Sequence, residues 1–133
     1  MKYLLDVNVL VAWGWADHPD HRLVARWIGA TSKKRGDSLM TSAVPQLGVV
    51  RVSIQRTGGQ GSPQEAGEVL SGMLRSLGGR HEFVPDDHEA YHWPAWCQGA
   101  SRTTDAHLIT LARMHRAELA TLDRGIPDAF VIA

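Results

Sequence analysis

Five short apolar segments, at residues 3–5, 39–41, 81–84, 119–122 and 130–132, punctuate the chain, and the stretches between the first four carry apolar residues at three- and four-residue spacing. Short apolar runs suit strands and the longer spacing suits helices, so strands alternate with helices and the sheet is expected to be largely parallel. The helical stretches are 7–15; one opening at Pro19 with Leu23, Val24, Trp27 and Ile28; 44–55 with Val44, Leu47, Val50 and Ile54; and one opening at Ser62. The last of these has Ser at the cap, Pro63 next and Glu65 three residues on, with Gly78-Gly79 closing it, an arrangement that satisfies free backbone N–H groups at a helix start. A final helix, capped by Thr103-Thr104-Asp105, carries Leu108, Ile109, Leu111, Ala112 and Met114.

No repeat, low-complexity tract or linker interrupts this order, and 133 residues, 44% hydrophobic, suit one domain spanning 1–133. Fourteen basic residues balance fourteen acidic ones, so any anionic partner must meet a local patch. The balance is uneven: residues 1–80 hold ten basic and six acidic groups, residues 81–133 four and eight. Cys97 is the only cysteine, which excludes an intrachain disulfide and a thiolate zinc cluster. Asp6 interrupts the first apolar run and no run approaches the length of a membrane span, so the chain reads as soluble and cytoplasmic, with no membrane partner.

Three aspartates stand at the ends of these elements. Asp6 follows the first strand, Asp123 follows the fourth, and Asp105 lies at a helix start. In parallel sheets the ligand crevice lies outside the carboxyl ends of the strands. Carboxylates gathered there repel one another unless they bind a cation or share protons, and oxygen donors without thiols select Mg²⁺ or Mn²⁺. Each residue also has a local reading: Asp6 and Asp105 as helix caps, Asp123 with Gly125 as a turn.

Taken together, Leu4-Leu5-Asp6-Val7-Asn8-Val9-Leu10, Thr103-Thr104-Asp105-Ala106-His107-Leu108 and Ala120-Thr121-Leu122-Asp123-Arg124-Gly125 resemble the motifs of PIN-domain ribonucleases. The likeness is strongest to the VapC-type toxins of bacterial toxin-antitoxin pairs, and it covers nearly the whole chain. Thr41-Ser42-Ala43-Val44-Pro45-Gln46-Leu47-Gly48-Val49-Val50-Arg51-Val52 looks like the family's second motif. The resemblance implies a three-layer α/β/α sandwich around a central, mainly parallel sheet, and endonucleolytic cleavage of RNA such as tRNA or rRNA. It also implies Mg²⁺ or Mn²⁺ on Asp6 and Asp105, with Asp123 completing the acidic pocket directly or through water. Asn8 would orient Asp6, Thr104 would act beside Asp105, and Arg51 would lie near the acids. A cognate VapB-like antitoxin and a homodimer are the implied partners.

Gln46 departs from the pattern, since many PIN domains have Glu there. An amide oxygen can still accept a hydrogen bond from metal-bound water, but it attracts a cation less and cannot act as a base. Two readings follow: a nuclease with weaker metal binding, in which Gln46→Glu tightens it, and a PIN-like module that binds antitoxin or RNA without cleaving.

His88-Glu89-Ala90-Tyr91-His92 matches H-E-x-x-H, which on a helix sets two zinc ligands on one face with Glu as general base. Asp87 and Pro94 flank it and no further His or Gly follows at the longer motif's spacing, so a short surface helix is expected instead. His18 and His21 read as an entry turn rather than a metal site, and His107 remains unassigned. Trp13, Trp15 and Trp27 suit a core or an interface covered by a second subunit or antitoxin, while Trp93 and Trp96 suit the pocket rim. Arg22, Arg26, Lys33, Lys34 and Arg35 cluster at the second helix, with Arg51 and Arg56 on the third; such a cluster is ordinarily a solvated face, and with RNA as substrate it can track the backbone. A phospho-receiver domain needs a late lysine, and the only lysines are Lys2, Lys33 and Lys34; an aspartate-nucleophile phosphatase needs an acid where Asn8 stands.

Overall fold

The computed structural model describes residues 1–133. One parallel sheet is built from β1 (Lys2–Leu5), β2 (Ser38–Thr41), β3 (His81–Phe83), β4 (Glu118–Thr121) and β5 (Phe130–Val131), in the order β3-β2-β1-β4-β5. Helices α1 (Val7–Gly14), α2 (His21–Ser32), α3 (Ala43–Arg56), α4 (Pro63–Arg75) and α5 (Thr103–Met114) complete the three-layer α/β/α sandwich.

Period-two alternation in the strands decides which helix packs where. Tyr3, Leu5, Leu39 and Ala120 face a core shared with Val9, Leu10, Val24, Ile28, Val49 and Leu70 of α1 to α4. Their neighbours Leu4, Met40 and Leu119 face the other way, onto Leu108, Ile109, Leu111 and Ala112 of α5. Tyr3, Trp27 and Phe130 pack ring against ring with centroids 5.1–5.7 Å apart, closing the first core at the β5 edge.

Close approach between α1 and α3 depends on one glycine. A Cβ at Gly48 would stand 2.6 Å from Cγ2 of Val7, so the second motif admits no larger residue there without displacing α1. The capping box at Ser62 and Glu65 forms as the sequence predicts, with the Ser62 hydroxyl accepting from the Glu65 N–H at 3.1 Å and Glu65 accepting from the Ser62 N–H at 3.2 Å.

Several expectations need correction. α2 begins at His21 and not at Pro19, because His18 Nδ1 accepts the Asp20 N–H at 3.0 Å and holds 18–20 as a turn. His21 Nδ1 lies 2.8 Å from the Ala12 carbonyl, so Nδ1 of each imidazole is engaged by the backbone. α5 opens at Thr103 with no side-chain cap, since a 3-10 turn at Ala100–Arg102 leads into it and Thr103 bonds back to the Ala100 carbonyl at 2.8 Å. Residues 88–92 are not helical. Of the core and interface readings for Trp13, Trp15 and Trp27 the core one holds, since all three pack against the α1–α4 cluster; the large exposed apolar side chains are elsewhere, Leu47, Val69, Phe83, Tyr91 and Trp93 among them. No helix is long and apolar enough to cross a membrane.

Candidate active site

The strand order places the reversal of chain direction across the sheet between β1 and β4: β2 and β3 extend one way from β1, and the chain then returns to lay β4 on its other side. That switch point is where open parallel sheets leave a crevice at their carboxyl ends. Asp6 directly follows β1 and Thr121 ends β4, and the Asp6 N–H reaches the Ala120 carbonyl at 3.0 Å, carrying the ladder one residue further.

Asp6 is buried, and its two oxygens are held separately. Oδ1 accepts the Val7 N–H at 2.7 Å at the start of α1, and Oδ2 accepts the Thr121 hydroxyl at 2.7 Å. Asn8 closes the ring: its Nδ2 donates to Thr121 Oγ1 at 3.1 Å and its Oδ1 accepts the Leu122 N–H at 3.1 Å. Thr121 also accepts the Asp123 N–H at 3.1 Å, so one fully buried hydroxyl ties the first and last motifs together. Nothing in the sequence patterns singled out Thr121; the signal available was a polar residue ending an otherwise apolar strand two positions before Asp123.

Burial, above all, raises the pKa of Asp6; the hydrogen bonds from Thr121 and Val7 oppose this, and the charges of Asp105 and Asp123 add to it. Asp105 is also raised, first by burial and then by Asp123, with Arg102 pulling it down. The three aspartates therefore feel one another across the crevice. Asp105 Oδ2 lies 3.9 Å from Arg102 Nε, and exposed Asp123 accepts the Gly125 N–H at 2.7 Å in a tight turn. No three histidine, cysteine or carboxylate side chains stand close enough to form a ready-made ligand set. An open, all-oxygen arrangement suits Mg²⁺, which takes one or two carboxylates and keeps much of its water.

The remaining expected site residues lie outside this ring. Gln46 donates to Thr41 Oγ1 at 2.9 Å, and Thr41 in turn lies 2.7 Å from His81 Nε2, so the amide makes no hydrogen bond to any of the three aspartates. Thr104 is exposed and makes no hydrogen bond to Asp105; Arg51 is exposed and forms no ion pair. His107, two residues past Asp105, points to Asp86, 2.7 Å away, and its ring stacks on His88 at 4.1 Å. Asp86 also accepts the Val44 N–H at 3.2 Å, so this group clamps the loop after β3 to α3 and α5. With 88–92 non-helical and His88 stacked on His107, the geometry of a zinc H-E-x-x-H helix is absent.

The sequence matches the PIN domain family over residues 3–130. It is 35% identical over 134 residues to Ribonuclease VapC39 of Mycobacterium tuberculosis, covering 97% of this chain and 94% of that one. Ribonuclease VapC29 of the same organism is 37% identical over 127 residues, covering 95% and 89%. A crystal structure of VapBC2 from Rickettsia felis, bound to a DNA fragment from their promoter, superposes with a TM-score of 0.61 at 16% identity, covering 98% of this chain and 97% of that chain. The chain belongs to the PIN-domain family, and within it to the VapC-type proteins.

Proposed function

We propose that this chain is a metal-dependent endoribonuclease, the toxin of a toxin-antitoxin pair, acting on structured RNA such as tRNA or rRNA. The observation that carries this reading is geometric: Asp6 directly after β1 and Asp123 just after β4 are tied through the Thr121 hydroxyl at the switch point, and the charges of Asp105 and Asp123 both act on the buried Asp6. A buried carboxylate facing two other negative charges is relieved by a bound cation or by a shared proton, and the open crevice suits the cation. Asp6 and Asp105 would hold Mg²⁺ or Mn²⁺, and Asp123 would complete the pocket directly or through water. Such an ion, when bound, neutralises phosphate charge and makes a bound water acidic enough to attack it.

The protein's own part is orientation. Thr121 and Asn8 fix the rotamer of Asp6 from behind, leaving each carboxylate oxygen a further lone pair. Asp105, with one face toward Arg102, can turn toward the crevice because no hydrogen bond pins it. The family relatives named as VapC ribonucleases, and the VapBC2 assembly that shares the fold, support a VapB-like antitoxin as partner. A second copy of the chain is proposed with it, as a homodimer.

Purified protein incubated with tRNA or rRNA and Mg²⁺ or Mn²⁺ tests this directly. Cleavage lost in Asp6→Ala and on chelation is the expected result; undiminished cleavage by Asp6→Ala excludes this site. One observation favours a second reading, a binding module with weakened catalysis: Gln46 brings no carboxylate and spends its amide on Thr41. Growth arrest on induced expression, relieved by Asp105→Ala, selects the nuclease, and a harmless, folded wild type selects the module.

A further inference from the structure

Arg102 is the one basic side chain in ion-pair range of any of the three aspartates. It immediately precedes the third motif, reaches across to the fourth, and is held from three sides. Nη2 donates to the Gly125 carbonyl at 2.8 Å, the guanidinium lies over the Trp96 ring at 5.0 Å, and Nε stands 3.9 Å from Asp105 Oδ2. Trp96 itself packs against the α5 core.

The guanidinium is nevertheless poorly satisfied. Nε is buried without a hydrogen-bond partner, and only Nη2 of its nitrogens makes a hydrogen bond. Nε is closed off from solvent, so an incoming oxygen would meet Nη1 and the second N–H of Nη2, which no protein group takes. Arg presents its N–H groups as a planar fork that matches phosphate oxygens. A nucleic-acid backbone entering a crevice lined by three carboxylates needs a fixed positive charge at the rim, and the side chain is about one-third exposed there.

We propose that Arg102 binds a backbone phosphate of the RNA at the rim of the acidic crevice, with the fork pre-oriented by Trp96 and Gly125. This rests on the RNA-cleavage reading above. A purely structural Arg102, tying the turn before α5 to the Asp123 loop, would leave RNA affinity and its salt dependence alone.

The test measures binding of a fluorescein-labelled single-stranded RNA by anisotropy in EDTA, where no cleavage intervenes, across a series of salt concentrations. Each phosphate neutralised on a single strand contributes about 0.7 to the slope of log affinity against log salt. Arg102→Gln is therefore expected to flatten the slope by about 0.7 and to weaken binding several-fold. Arg102→Lys keeps the charge and loses the fork, so it keeps the slope and still weakens binding. It also carries the test should Arg102→Gln fail to give a folded circular-dichroism spectrum. Wild-type affinity and slope in a folded Arg102→Gln, or wild-type affinity in Arg102→Lys, overturns the assignment. If wild type itself binds and cleaves RNA while these variants match it, only this inference falls; a wild type that does neither removes the ribonuclease reading too.

Discussion

The Thr121 hydroxyl donates to Asp6 Oδ2 at 2.7 Å across 115 residues of sequence. Thr121 Oγ1 in turn accepts from Asn8 Nδ2 and from the Asp123 N–H, so a single buried atom sets the relative position of two of the three aspartates. Thr121→Val keeps the shape and removes all three bonds. Stranding a buried carboxylate and two donors is expected to cost about 1–3 kcal/mol, read as a lower urea midpoint at unchanged slope. Asp6 loses a contact that favours its ionised form, so the acid limb of cleavage moves to higher pH.

Asp105 is held above the ordinary carboxylate pKa by burial and by Asp123. The native state then keeps its proton more tightly than the unfolded chain does, and stability falls as pH rises from the ordinary carboxylate value through the raised native one. Asp105→Asn removes this penalty. In EDTA the variant is expected to be more stable than wild type at neutral pH, with the difference shrinking as pH drops into the acid range. Urea unfolding at a series of pH values measures it, and a variant less stable than wild type at neutral pH contradicts the sign.

A divalent ion that binds only the folded chain stabilises it by mass action, about 2.7 kcal/mol at a hundredfold excess over the dissociation constant. Mg²⁺ or Mn²⁺ is therefore expected to raise the melting temperature of wild type and to leave Asp6→Ala unmoved. Equal shifts in both proteins would place the ion elsewhere.

Gly48→Ala adds a methyl group 2.6 Å from Val7 Cγ2. Ala gains up to about 1 kcal/mol of helix propensity over Gly, but overpacking a site between two helices costs about 1–3 kcal/mol, and Val7 is a stiff β-branched neighbour. A net loss of stability is expected by urea unfolding. Activity falls as well, because Val7 lies between Asp6 and Asn8 at the start of α1. Val7→Ala in the same chain opens the space and is expected to recover part of the loss.

Local pattern made much of this protein legible before any coordinates. The capping box at Ser62 and the strands around Leu4, Met40 and Leu119 are written in a few adjacent residues, and Asp6, Asp105 and Asp123 fell at element ends where a crevice was expected. Short-range rules failed where a long-range contact outbid them. The 88–92 segment reads as a helix with two histidines on one face, yet the stacking of His88 on His107 and the grip of Asp86 on α3 and α5 fix it as irregular loop. The Gln46 amide is engaged by Thr41, a pairing that no local pattern announces.

The sequence by itself determined the alternation of strand and helix, the two-faced strands and the residue types able to hold a hard cation, because each depends on neighbours a few positions apart. Only the tertiary structure decided that Thr121 would be the partner of Asp6 and that Arg102 would stand over Trp96 at the rim. Those pairings depend on β4 lying beside β1 and on α5 with Trp96 packing against one face of the sheet, arrangements set by contacts far apart in sequence.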